Sequence, residues 1–157
     1  MRKTALLLLT LALSGCGSDG PAAPSRASDD DRRQTVAALQ SAWRLWQAAG
    51  PASYRYTYRR ACFCLPRGPV VVTVRDRRLE SVVEAETGQP VPPDSLALYG
   101  PVEGLFTQLF DAVAQEAWSI RASYDERLGY PRDSYVDVDP RMADEEQGFS
   151  VADFEPL

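Results

Sequence analysis

The chain has 157 residues, with 17 basic against 22 acidic side chains, no histidine and three cysteines. That acidic balance argues against nucleic acid as a partner and against electrostatic docking on anionic headgroups. Without histidine there can be no histidine triad and no histidine–metal site. Lys3, the single lysine, sits in the leader segment, so the folded part has no Schiff-base lysine and no phosphate-loop lysine.

Met1-Arg2-Lys3 makes a positive start, and Thr4 to Leu13 is an apolar run broken only by threonines. The run is too short to span a bilayer and reads as a removable signal peptide over residues 1–15. Leu13-Ser14-Gly15-Cys16 matches a bacterial lipobox: an apolar residue, two small ones and a cysteine. The expected product begins at Cys16, with diacylglycerol on its thiol and a further acyl chain, of the palmitate kind, on its freed amine. At about 0.8 kcal/mol per buried methylene, two or three such chains anchor a small protein nearly irreversibly. Loss of Arg2 and Lys3 leaves 15 basic residues against 22 acidic ones, a net of −7. Membrane contact is therefore expected through the Cys16 lipid alone, with the protein facing the periplasm or the cell exterior. Gly17 is not the aspartate that favours inner-membrane retention, so an outer-membrane destination stays open.

Residues 16–31 are small, polar and rich in proline, glycine and aspartate, the composition of a flexible tether. Asp29-Asp30-Asp31 is placed to cap the helix that follows, or simply to solvate the linker. Residues 32–157 form a single domain. From Arg32 to Ala49, Val36, Leu39, Trp43 and Trp46 recur at helical spacing, and Gly50-Pro51 ends the run. Tyr54, Tyr56 and Tyr58 then alternate with Arg55, Thr57 and Arg59, which is a β-strand with its tyrosines under the first helix and its arginines in water. Val70–Val74 and Leu79–Ala85 read as a second and third strand around a tight turn at Asp76-Arg77, with a long Pro- and Gly-rich loop over residues 86–100. Pro101 opens a second helix whose apolar face is Val102, Leu105, Phe106, Leu109, Phe110 and Val113. The remaining strands are expected over Trp118–Asp125, Ser134–Asp139 and Phe149–Phe154. Gly129 is expected at positive φ, with Asp125 as a local acceptor. The order α-β-β-β-α-β-β(-β) predicts an α+β fold: an antiparallel sheet of five to six strands with two helices on one face.

Two constellations could carry chemistry. Cys62 and Cys64 form an even remainder in an oxidising compartment, so a disulfide is expected, and it requires a bulge or turn between them. A structural bridge is favoured. The alternative is a thiol-redox pair, activated by Arg59 and Arg60, although no C-x-x-C pattern accompanies it. Asp137, Asp139, Asp144, Glu145 and Glu146 crowd one loop and are weak candidates for calcium, without EF-hand spacing. A solvated loop with Asp139 bonding its own backbone is the plainer reading. No cofactor is expected, and no catalytic residue stands out.

The pieces YRYTYRRACFC at 54–64, VEGLFTQLFDAV at 102–113, YDERLGYP at 124–131 and VDVDPRMADEEQGFSVADF at 136–154 stand in order across nearly all of residues 36–154. In that combination the chain resembles a family of bacterial secreted lipoproteins catalogued as a domain of unknown function. It departs from that pattern at Asp76-Arg77, where Asp-Gly would be expected. The resemblance implies a lipid-anchored envelope domain and brings no catalytic residue, substrate or cofactor. Taken together, these expectations describe a non-enzymatic accessory or binding module for an envelope component, with thiol redox chemistry as the alternative.

Overall fold

A computed structural model describes residues 28–63, 68–142 and 144–157. The signal segment, Cys16 and Cys64 lie outside the described residues.

The first helix, α1, spans Asp29–Ala49. Its cap is Ser28 and not the aspartate run: the Ser28 hydroxyl accepts from the Asp31 amide, and the Asp31 carboxylate accepts from the Ser28 amide at 3.2 Å. Reciprocal bonding of this kind satisfies two otherwise orphaned donors, and it leaves three negative charges at the positive end of the helix dipole. The opposite end stops at Gly50, whose amide reaches the Trp46 carbonyl.

Six strands follow: β1 (Tyr54–Cys62), β2 (Val70–Arg75), β3 (Arg78–Glu84), β4 (Ser119–Tyr124), β5 (Pro131–Asp137) and β6 (Gln147–Pro156). The second long helix, α2 (Val102–Ala114), lies between β3 and β4. All pairings are antiparallel, in the order β3-β2-β1-β6-β5-β4. Two three-stranded meanders are thus joined where β1 meets β6, and α2 carries the chain from one edge of the sheet to the other. The expected α+β arrangement holds, with all six strands present. One element was not expected: Pro93–Leu98, inside the long loop, is a short 3-10 helix. The ends of the sheet also extend further than the apolar alternation showed, because β5 begins at Pro131 and β6 runs to Pro156.

Burial follows the alternation. Tyr54, Tyr56 and Tyr58 are buried, as are Val70, Val72 and Val74 beside them. From α1 come Leu39 and Trp46, and from α2 come Val102, Leu105, Phe106 and Leu109. Full burial of such a side chain contributes roughly 1.5–3 kcal/mol, so this one helix-covered face supplies most of the stability. The opposite face is polar and solvated, as an antiparallel sheet permits. There Arg55 pairs with Glu155, and Arg121 stacks over the Tyr135 ring at 4.4 Å.

Two irregular positions shape the core. Asp153, at φ 49°, is an extra residue in β6: Thr57 faces Ala152, whereas Arg55 faces Glu155. This bulge turns Phe154 to the same side as Val151. Phe154 then stacks on Tyr54 at 5.1 Å and on Tyr130 at 4.4 Å, while the Trp46 ring meets it edge-on. The β2–β3 turn is a two-residue hairpin with Asp76 and Arg77 both at positive φ, which is how it closes without glycine.

Candidate functional site

The tyrosine strand does more than fill the core. Pro101 stands at the N-cap of α2 and offers no side-chain cap. The Tyr54 hydroxyl takes over that role and accepts from the Val102 amide at 2.9 Å. Tyr56 donates to the Gly100 carbonyl at 2.6 Å, fixing the residue two positions earlier. The Glu103 carboxylate accepts from Trp46 Nε1 at 3.1 Å and from Arg77 Nη1 at 3.0 Å, which ties α1 and the β2–β3 turn to the same helix start. Burial pushes the Tyr54 and Tyr56 phenols well above their ordinary pKa, and the charge of Glu103 pushes in the same direction. These tyrosines are therefore neutral positioning groups.

Anchored in this way, α2 leaves a cleft open between its second half and the ends of β1, β5 and β6. The cleft has a volume of about 360 Å³ and is closed on its other side by Ala97 and Leu98 of the 3-10 helix. Its floor is apolar, with Phe149, Val136 and Leu109. Its α2 wall is polar: Gln108, Asp111 and Gln115 stand at helical spacing along one ridge. A side chamber of about 130 Å³ shares Tyr58, Leu98 and Gln108 with the cleft, and Gly100 and Gly104, without side chains, leave it open.

Several hydrogen-bond donors face this cleft. Arg60 lines it, one step beyond Tyr58 on the same face of β1, and no carboxylate among the described residues pairs with its guanidinium. Burial raises the Tyr58 phenol pKa and the neighbouring Arg60 charge opposes the rise; the net effect keeps the group a neutral donor at physiological pH. Ser134 is buried at the rear, where its Oγ accepts from the Phe149 amide at 3.2 Å and retains a proton to give. The volume falls in the range of small-ligand sites, and the mixture of apolar floor and convergent polar groups is the usual composition of one.

The residues singled out in the sequence lie around this end of the sheet. Cys62 is the last residue of β1, half-buried, opposite Gln147 of β6. Arg60 shares its face, whereas Arg59 pairs opposite Ser150 on the solvent side, so the two arginines do not converge on the thiol position. Phe63, which follows, is 77 % exposed. The acidic loop is organised by Glu145, whose Oε1 accepts from the amides of Val138 and Asp139. Arg141 donates to Asp139 at 2.6 Å and holds its carboxyl down at about 2. Asp137 is shifted upward, by burial first and by Glu145 beside it second. Asp144 sits at φ 77° in the turn. Among the described residues no three cysteines or carboxylates converge as a metal site would require. Asp125 accepts from the amides of Arg127 and Leu128, and Gly129 takes φ 82°, as expected for a turn.

The cleft itself was missed in the sequence. One signal for it was available: the alternation Tyr54, Tyr56, Tyr58 continues to Arg60, an exposed cation on the helix-covered side of the strand. Over residues 38–156 the chain matches the profile of a family of unknown function (DUF6174). No curated protein and no solved structure matches.

Proposed function

The chain belongs to this family of unknown function, and from that premise we propose that it is a lipid-anchored protein of the cell envelope. Its folded domain acts as a non-enzymatic binding module through the cleft beside α2. The lipobox ending at Cys16 supports the anchor. The observation that carries the binding reading is the cleft itself: about 360 Å³ of space with a guanidinium that has no carboxylate partner among the described residues, a neutral phenol and three carboxamides on its walls. The groups on its walls are hydrogen-bond donors and acceptors, and the chain has no histidine.

The position of the tether fits this role. Arg32, in the first turns of α1, donates to the Ala117 carbonyl at 3.1 Å, just before β4. Ser119 of β4 pairs with Asp137, next to the Val138 that lines the cleft, so the start of α1 and the cleft occupy one end of the sheet. Residues 17–28, fully extended, reach about 40 Å. The anchor would thus keep the cleft near the bilayer while the protein remains free to turn.

The test uses the full chain in a bacterial host that processes lipoproteins. Wild-type protein should incorporate labelled palmitate and fractionate with membranes, and Cys16→Ser should do neither. A photoreactive amino acid at position 98, on the cleft wall, should give a discrete mass adduct in intact cells, whereas one at position 59, on the open face of the sheet, should not. Equal labelling at the two positions would refute the binding reading.

A further inference from the structure

We infer that the cleft captures a short peptide by its free terminal carboxylate, with Arg60 as the carboxylate-binding residue. The inference rests on the binding reading above and adds the chemistry of the ligand.

Four features of the cleft select this ligand. First, its strongest uncompensated group is a guanidinium, whose planar donor fork matches a carboxylate in two parallel hydrogen bonds. The Tyr58 phenol, on the same face of β1 two residues earlier, is a neutral donor to the same region. Second, Gln108 on α2, Gln115 at its C-cap and Gln147 at the start of β6 bring carboxamides to both sides of the cleft. Each carboxamide carries a donor and an acceptor, the pattern that pairs with a peptide backbone. Third, Asp111 stands on the α2 ridge among these glutamines, without an ion-pair partner among the described residues, and gives the far wall a charge opposite to that of Arg60. Fourth, the side chamber beside Gly100 and Gly104 is only about 130 Å³, the size for a small apolar side chain.

The competing ligand classes fit less well. A glycan needs an exposed aromatic platform, but the cleft aromatics, Tyr58 and Phe149, are 5 % and 2 % exposed. A fatty acid needs a long apolar channel, but this cleft is open and has polar groups on both walls. A phosphate ester, with up to two negative charges, would meet one arginine and no lysine among the described residues. Capture of a terminal carboxylate is a recurrent mode of peptide recognition, and a guanidinium meets a carboxylate with two parallel hydrogen bonds.

The probe is N-acetyl-alanyl-alanine with a free carboxylate, compared with the same dipeptide as its terminal amide. Each is titrated into the full chain purified in detergent micelles, with amide chemical shifts as the readout. The free acid should shift the resonances of Phe149, Gln147 and Gln115 and bind at least roughly tenfold tighter than the amide. Arg60→Gln should remove that preference, and Arg59→Gln, on the opposite face, should leave it intact. Gln108→Trp, which narrows the mouth from an exposed helix position, should weaken both probes. Equal binding of acid and amide in the cleft would overturn the carboxylate assignment and leave the binding module standing. Shifts confined to residues outside the cleft would overturn the assignment of the site to any ligand of this class.

Discussion

Replacing Tyr54 by phenylalanine removes a single oxygen from the centre of the molecule, and the structure fixes what that should cost. The lost hydroxyl accepts from the Val102 amide at 2.9 Å, at the start of a helix whose N-cap is proline. Val102 is 0 % exposed, so water cannot take over the orphaned donor. A buried donor left without a partner costs about 1–3 kcal/mol, and loss of a helix cap costs about 0.5–2 kcal/mol; the two describe one event and do not add. The expected loss is therefore about 2 kcal/mol, a fall in melting temperature of roughly 4–8 °C for a domain of this size. Tyr56→Phe is the internal comparison. It removes a bond to the Gly100 carbonyl, which is only half-buried, so water can substitute and the loss should be about 1 kcal/mol. Urea unfolding followed by tryptophan fluorescence measures both, with an unchanged slope showing that the unfolded state is unaffected. A loss below about 0.5 kcal/mol for Tyr54→Phe, or a larger loss for Tyr56→Phe, would refute the argument that tyrosine hydroxyls start α2.

Three further outcomes follow from the same structure. Gly129→Ala meets a positive φ and puts a methyl 2.4 Å from the Ala42 carbonyl oxygen, so thermal unfolding should show a loss of more than about 2 kcal/mol; a change near zero would mean that the turn can move off α1. Tyr54, Tyr56, Tyr58 and Tyr124 have phenol pKa values raised by burial, Tyr124 to about 12, so the folded state resists their ionisation. Their contribution is complete below pH 10 and is lost as pH rises through the folded values; of the chain's seven tyrosines, the share of the tyrosinate absorbance that belongs to these four should appear only together with unfolding. Replacing Cys62 and Cys64 together by serine should lower the melting temperature and leave insulin reduction at zero, if the pair is the structural bridge expected of it. A reduction potential in the oxidoreductase range with no change in stability would favour redox chemistry.

The large features of the fold were legible because each is a strict alternation or a helical stripe. β1 and α2 are the clearest: three tyrosines two apart, and apolar residues at 102, 105, 106 and 109. What stayed hidden depended on backbone geometry without a residue signature. Ser28 caps α1, although three aspartates beside it are equally good caps by type. The β6 bulge at Asp153 shifts Phe154 onto the core face against a simple count of two. Pro93–Leu98 has too few apolar residues for a period to show, yet it builds one wall of the cleft. Gln108, Asp111 and Gln115 read as a solvated helix face, because nothing local shows that the sheet continues beneath them. A cleft is an arrangement of distant segments, and here β1, β5, β6, α2 and the 3-10 helix each contribute a few residues whose local pattern is ordinary.

Intact-mass and peptide mass spectrometry of the protein extracted from membranes tests the anchored-module account most directly. The amino-terminal peptide should begin at Cys16 and carry the added mass of two or three acyl chains. A terminus that retains Met1, or an unacylated cysteine on protein recovered from the soluble fraction, would contradict it.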